Sequence, residues 1–335
     1  MHPALQGLLT IIIGVSGCIG YFYFSNQFLD KVLFPAKGVN AGRNINRANM
    51  IRPWLFLLPA LLALGLYLAY PVVETLRLSL TERLPGNESA FVGLANYQQM
   101  FSEPKFWEAL KNNMLWLLIV PALSTLFGLL AAQLSDRVFW GNIAKSLIFM
   151  PMAISFVGAA VIWKLVYDAR PIDQDQIGVL NALYIYFGGD APQNWLTTPF
   201  WNSILLMVVL VWIQTGFAMV ILSAALRGIP EETIEAAIID GANPFQVFFK
   251  IKVPQIMGTI VVVWTTITIV VLKVFDIVFA MTNGQWETQV LANYMYDKLF
   301  RANDWGVGSA SAMIIMLLVT PILVWNVYNV RKEMK

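Results

Sequence analysis

The chain has 335 residues, of which only 13% are charged and 58% are hydrophobic, and its mean hydropathy is +0.64. Soluble globular proteins carry about 25% charged residues, so a pair of soluble domains, which the length alone would suggest, is excluded. A net charge of +2 rules out a strongly basic nucleic-acid binder, one Cys rules out a disulfide scaffold, and one histidine, His2, leaves no second imidazole for a metal site or a charge relay.

Seven apolar stretches are long enough to cross about 30 Å of hydrocarbon, which takes about 20 helical residues. In chain order they are 4–24, 53–73, 112–134, 146–167, 201–223, 259–281 and 310–330. Only Lys164, Lys273 and Asp276 are charged within them. A charge at the membrane centre costs about 2.5–3.5 kcal/mol on insertion scales, so this segregation predicts an all-α polytopic membrane protein with about seven transmembrane helices. The first stretch lacks the positive leader of a signal peptide and runs on through Tyr21-Phe22-Tyr23-Phe24, so it reads as a retained helix. The piece Phe106-Trp107-Glu108-Ala109-Leu110, just before the third stretch, reads as an interfacial helix.

Lys and Arg set the orientation. Segments 25–52, 135–145, 224–258 and 331–335 hold 13 basic residues in 79 positions, whereas 1–3, 74–111, 168–200 and 282–309 hold seven in 102. The N-terminus is therefore expected outside and the C-terminus, Arg331-Lys332-Glu333-Met334-Lys335, in the cytoplasm.

The longest cytoplasmic connection, 224–258, reads as two helices joined by a turn. Pro230 suits a first helical position, and Glu231 and Glu232 complement the positive end of the helix dipole. Gly241 is placed to end that helix in the left-handed conformation. Asn243 then caps a second helix with Pro244 at its first position. Phe245, Phe248 and Phe249 share one side of that helix, and Pro254 is expected to break it. Taken alone, such a pair is either a docking element or an amphipathic loop lying on the headgroups.

The spacing Glu235-Ala236-Ala237, three residues, Gly241, nine residues, Ile251, one residue, Val253-Pro254 resembles the EAA loop of ABC importer permeases, with Val253 standing where that motif usually has Leu. Phe91-Val92-Gly93-Leu94-Ala95-Asn96-Tyr97, then Phe106 and Asn112-Asn113, is similar to the outer segment of the maltose-type sugar permeases. Leu272-Lys273-Val274-Phe275-Asp276-Ile277-Val278-Phe279-Ala280-Met281-Thr282 resembles their span signature, although Asn283-Gly284-Gln285-Trp286 replaces the usual Gly-Gly-Pro.

The resemblance covers about 53–330. It implies a type I ABC importer transmembrane domain in the bacterial inner membrane. Residues 1–52 would be an extra N-terminal helix with a basic linker, and 53–335 a six-helix permease core. The EAA loop would be a coupling helix, with Glu235, Ala236, Ala237, Asp240, Gly241 and Pro254 docking on an ATPase. The chain has no G-x-x-x-x-G-K-[ST], so ATP and Mg would be bound by two partner ATPase subunits, and this chain would be neither an enzyme nor a cofactor binder. The other implied partners are a second permease, a periplasmic or lipoprotein substrate-binding protein, and membrane lipid, with no nucleic acid. An α-glucoside or a compatible-solute glycoside is the implied cargo.

Embedded polar groups are candidates for the substrate path. Lys164 can snorkel from the outer end of its span. Lys273 and Asp276, three apart, either pair on one helix face or contact sugar hydroxyls. Trp212, Gln214 and Phe217 form an aromatic–amide–aromatic cluster suited to a saccharide. By the resemblance, Leu210, Ile213, Gln214, Phe217, Ile267, Val270, Val271 and Val274 fall at sugar-contact positions. Several of those are aliphatic where the family has Ser or Asn, which argues for a smaller ligand or one held mainly by the partner permease. The alternative class is a secondary transporter driven by an ion gradient, which requires facing titratable groups or matched broken helices.

Overall fold

A computed structural model describes residues 3–37, 40–83, 88–136 and 138–333; His2 and the terminal Met334 and Lys335 lie outside them. The elements are α1 (Pro3–Phe28), α2 (Ala41–Leu64), α3 (Tyr70–Ser79), β1 (Thr81–Arg83), β2 (Ser89–Phe91), α4 (Ala95–Ser102), α5 (Pro104–Ser135), α6 (Gly141–Phe149), α7 (Phe156–Val166), α8 (Val179–Tyr186), α9 (Trp201–Arg227), α10 (Glu231–Ile239), α11 (Pro244–Gln246), α12 (Val253–Gln255), α13 (Met257–Leu272), α14 (Asp276–Met281), α15 (Leu291–Tyr296) and α16 (Trp305–Glu333). Short π-helical turns link several of them, and β1 and β2 form one antiparallel ribbon, Thr81 opposite Phe91. Among the described residues, five helices are long and apolar enough to cross a membrane, and bent pairs bring the total up to seven. The chain divides into two units, Met1–Glu74 and Thr75–Lys335.

In the first unit α1 and α2 meet near their connection. Tyr21 donates its hydroxyl to Leu55 O at 2.7 Å, Phe22 meets Phe56 edge-on, and Asp30 pairs with Arg52 at 2.6 Å. The helix that carries the second span begins at Ala41, so much of the basic 25–52 connection is helical.

The second unit is built on α5 and α9. Both are lined with small residues where they cross, so their backbones approach closely. Trp116 and Val120 of α5, Leu206 and Met219 of α9 and Ile267 of α13 lie in one core. A smaller cluster around Met100, Phe106 and Tyr294 closes one end.

Four sequence expectations change here. Residues 106–110 are not a separate interfacial helix: α5 starts at Pro104 and runs unbroken for 32 residues, and Phe106 is fully buried. The stretch 146–167 is two helices, α6 and α7, at 106° to each other. Pro151 lies in the 3-10 turn Met150–Ala153 that follows α6, and Ser155 caps α7 by accepting from Gly158 N at 3.1 Å, so the chain restarts in a new direction. The stretch 259–281 stops at Leu272 and resumes at Asp276. Pro254 does not break its helix: it sits in the first turn of α12 after a π-helical segment, where a missing N–H is tolerated, and the 70° bend comes at Ile256.

Candidate functional site

The connection between α9 and α13 is set by local chemistry. Gly228 closes α9, and Ile229 is buried, anchoring the start of the loop in the core. Pro230, expected at the first helical position, is instead the N-cap of α10, and Glu231 and Glu232 fill the first turn. Asp240 ends α10, and Gly241 follows at φ +83°. Ala242 N donates to Ala237 O and Gly241 N to Ile238 O, both at 3.0 Å, which is the Schellman pattern that satisfies the last carbonyls of a helix. No heavy atom lies within 4 Å of a Cβ built on Gly241, so the backbone angle and not crowding calls for glycine.

Asn243 and Gln246 form a reciprocal capping box, each bond 2.9 Å, with Pro244 at the first position of α11. Glu235, Ala236 and Pro254 are exposed, and Ala237 is half-buried. Ile234 packs against the core, while Ile239 is 85% and Phe245 77% exposed. The loop thus turns an acidic and apolar face outward on a rigid, doubly capped frame.

The polar candidates inside the spans do not form one site. Trp212 lines a cavity of about 610 Å³ and meets Trp163 edge-on at 5.6 Å. Gln214, two residues on, is buried on another side of α9, and Phe217 packs half-buried against the core. Lys273 and Asp276 instead line a separate cavity of about 160 Å³ with Leu210, Val270 and Val274. The expected ion pair between them is corrected: Lys273 is the C-cap of α13 and Asp276 opens α14, so the helix that would bring them together is interrupted, and no salt bridge joins them among the described residues. Lys164 donates to Ala280 O at 3.3 Å, in the last turn of α14.

Two clusters were invisible in the sequence. Beyond α14, Asn283, Gly284, Trp286 and Glu287 all have positive φ. Their loop is held by side chains from other elements: Asn112 donates to Glu287 O and Gln289 O (both 2.8 Å), Asn202 to Trp286 O (2.6 Å) and Lys105 to Gly284 O (3.1 Å). At the opposite end of α5, Asp136 binds Lys145 of α6 and, at 3.0 Å, Arg227 of α9, and Lys145 donates to Ser223 Oγ at 2.7 Å. Burial alone would raise the Asp136 carboxyl, but hydrogen bonds and charge from Lys145 and Arg227 outweigh it and hold the group below the ordinary carboxylate range.

A depressed carboxyl contributes stability above its ordinary range and loses it as pH falls through the folded value. Asp136→Asn is therefore expected to lower the Tm at pH 7, by an amount equivalent to about 1 kcal/mol, since the carboxylate keeps contact with water and its partner Arg227 is largely exposed. The difference from the native protein should shrink in a melting series taken down through pH 4.

Residues 124–334 match a family model described as the binding-protein-dependent transport system inner membrane component. The chain is 62% identical over 337 residues, 99% of each chain, to the alpha-glucoside transport system permease protein AglF of Rhizobium meliloti (strain 1021). It is 47% identical to the osmoprotective compounds uptake permease protein GgtC of Synechocystis sp., covering 84% of this chain and 99% of that one. Its fold is similar to a chain of a bacterial ABC transporter that imports the acidic polysaccharide alginate, with a TM-score of 0.73 at 20% identity over 88% of this chain and 99% of the other.

Proposed function

The chain belongs to the family of binding-protein-dependent transport system inner membrane components, and on that premise we propose that it is the permease subunit of an ATP-driven importer of α-glucosides or compatible-solute glycosides. The observation that carries the reading is the loop after α9: a helix closed by Gly241 and a capping box, with Glu235, Ile239 and Phe245 turned outward. Such a surface is costly to leave in water and suits a protein partner. In this reading it docks on an ATPase subunit, and closure of two ATPases rocks this permease and a second one between outward- and inward-facing states. ATP and Mg are held by those subunits, a substrate-binding protein delivers the glycoside, the N-terminus is outside, and the C-terminus is cytoplasmic. Residues 1–52 add a helix and a basic linker to the permease core that follows.

The cavity at Lys273 and Asp276, about 160 Å³, is smaller than the roughly 300–1,000 Å³ of ordinary ligand sites. We assign it to one wall of the path, with the second permease supplying the other. Lys273 and Asp276, unpaired with each other, offer a donor and an acceptor for hydroxyls. Trp212, in the apolar cavity, stands apart from that wall.

Family membership favours this over the ion-driven carrier that the composition alone also allows. Solubilised with a tag on this chain, the protein should bring down an ATPase and a second permease, and α-glucoside-loaded binding protein should stimulate ATP hydrolysis by the reconstituted complex. Purification of the chain alone, with uptake abolished by ionophores, would overturn the proposal.

A further inference from the structure

We propose that the groove between α5, α6, α7 and α9 binds an anionic phospholipid, with acyl chain in the groove and phosphate at Arg227 and Lys252. The groove holds about 610 Å³ and is walled by side chains such as Ile119, Leu123, Leu147 and Val208. The groove is open along one side, where Phe127 and Leu147 are 46% and 57% exposed, so within a membrane it is filled by hydrocarbon.

A saccharide is a poor occupant. The Thr215 hydroxyl is already given to Val211 O at 2.7 Å, and most hydroxyls of a sugar would be buried there unpaired. Trp163 turns an indole face to the groove while its Nε1 is buried away from solvent. The groove therefore offers its occupant a surface that is nearly all hydrocarbon, which suits an acyl chain.

Three of the four helices, α5, α6 and α9, lead toward one charged end. At 1.5 Å per residue, Ala131 of the groove is about 7 Å along α5 from Asp136. Ile148 is about 4 Å along α6 from Lys145, and Thr215 is about 12 Å along α9 from Ser223. A second, polar cavity of about 340 Å³ opens there, lined by Gln133, Asp136, Leu226, Arg227 and Lys252. Among the described residues, the charged groups at this end are Lys145, Arg227 and Lys252 against the carboxylate of Asp136, an excess of two positive charges.

Arg227 spends Nε and Nη2 on Asp136, and its side chain is 60% exposed, so Nη1 is left to face a ligand. Lys252 has no ion pair among the described residues. Basic groups between spanning helices on the cytoplasmic side recognise acidic headgroups, and the hydrocarbon groove beside them selects a lipid over a free anion. The site is independent of which solute is carried, and a failure of the glycoside reading leaves it standing.

The test uses the intact permease complex, delipidated in detergent and titrated with phosphatidylglycerol or phosphatidylcholine while bound lipid is counted by native mass spectrometry. Phosphatidylglycerol should bind more tightly. Lys252→Gln and Arg227→Gln should each lower that affinity about fivefold and leave phosphatidylcholine unchanged, with Arg227→Lys recovering most of the loss. Val208→Trp fills the groove without touching a charge and should also weaken phosphatidylglycerol. Equal binding of the two lipids would overturn the proposal. So would full competition by glycerol phosphate, which marks an anion site without a chain, or a photo-crosslinker at Leu123 that labels the second permease in place of lipid.

Discussion

Gly241→Pro and Glu235→Lys should each leave the chain inserted in the membrane and abolish glycoside uptake and ligand-stimulated ATP hydrolysis. Gly241 sits at φ +83° and donates its N–H to Ile238 O. Proline fixes φ near −65° and has no N–H, so both the turn and the bond are lost, and α11 no longer leaves α10 in its present direction. A graded series separates conformation from contact. Asparagine tolerates the left-handed region, whereas alanine costs about 1–2 kcal/mol there, a factor of about 5–30 in the population of the docking geometry. Activity should therefore fall in the order Gly, Asn, Ala, Pro. Nothing but the turn is disturbed, because the space around Gly241 is open.

Glu235 tests the partner directly. It is exposed, and no hydrogen bond or ion pair within the described residues uses its carboxylate, so its reversal to lysine leaves the fold of this chain intact. Protease protection should show unchanged insertion while uptake is lost. Normal coupled uptake in both variants would remove the docking assignment.

Local chemistry explains why this loop was legible in the sequence. Gly241, Asn243 and Pro244 each act within three or four residues of themselves, and the left-handed exit and the Asn243 cap appear where those residue types require them, while Pro230 moves to the N-cap and the returning bond of Gln246 is added by the structure. The bent spans were hidden for the opposite reason. Hydropathy is a sum over a window and carries no direction, so 146–167 and 259–281 each read as one rod. Only Pro151 and Ser155 hinted at the turn between α6 and α7. The interruption at Lys273–Phe275 left less of a trace, and it removes the i,i+3 neighbourhood on which the Lys273–Asp276 pair depended. Asp136 and Arg227 are 91 positions apart, and nothing in a single sequence aligns such a pair. The clamps of Asn112 and Asn202 on backbone carbonyls are equally remote, although the four residues Asn283 to Trp286 already departed from the pattern they resemble.

Gly128→Leu should prevent assembly of a stable permease. A Cβ on Gly128 would stand 2.4 Å from Ala218 Cβ and 2.9 Å from Met219 N, so even alanine forces α5 away from α9. Gly128 lies between the small buried residues Ser124 and Ala132, four positions away on either side. Spanning helices gain their close packing from such spacing, since lipid offers no hydrophobic drive between them. Overpacking a seam of this kind costs about 1–3 kcal/mol, and leucine adds a branch where main-chain atoms cannot yield. Moving the methyl group across the seam provides the control. Gly128→Ala should lower the Tm, and Gly128→Ala with Ala218→Gly should recover part of the loss, because Met219 N remains close after the methyl is gone. The same seam bears on transport. α9 runs from this crossing into the loop that carries Glu235, so a displaced α9 carries the docking face with it. Thermal melting followed by size-exclusion chromatography reads the first effect, and ATPase stimulation by loaded binding protein reads the second. A Gly128→Leu complex with native Tm and native stimulation would show that α5 and α9 do not cross at these residues.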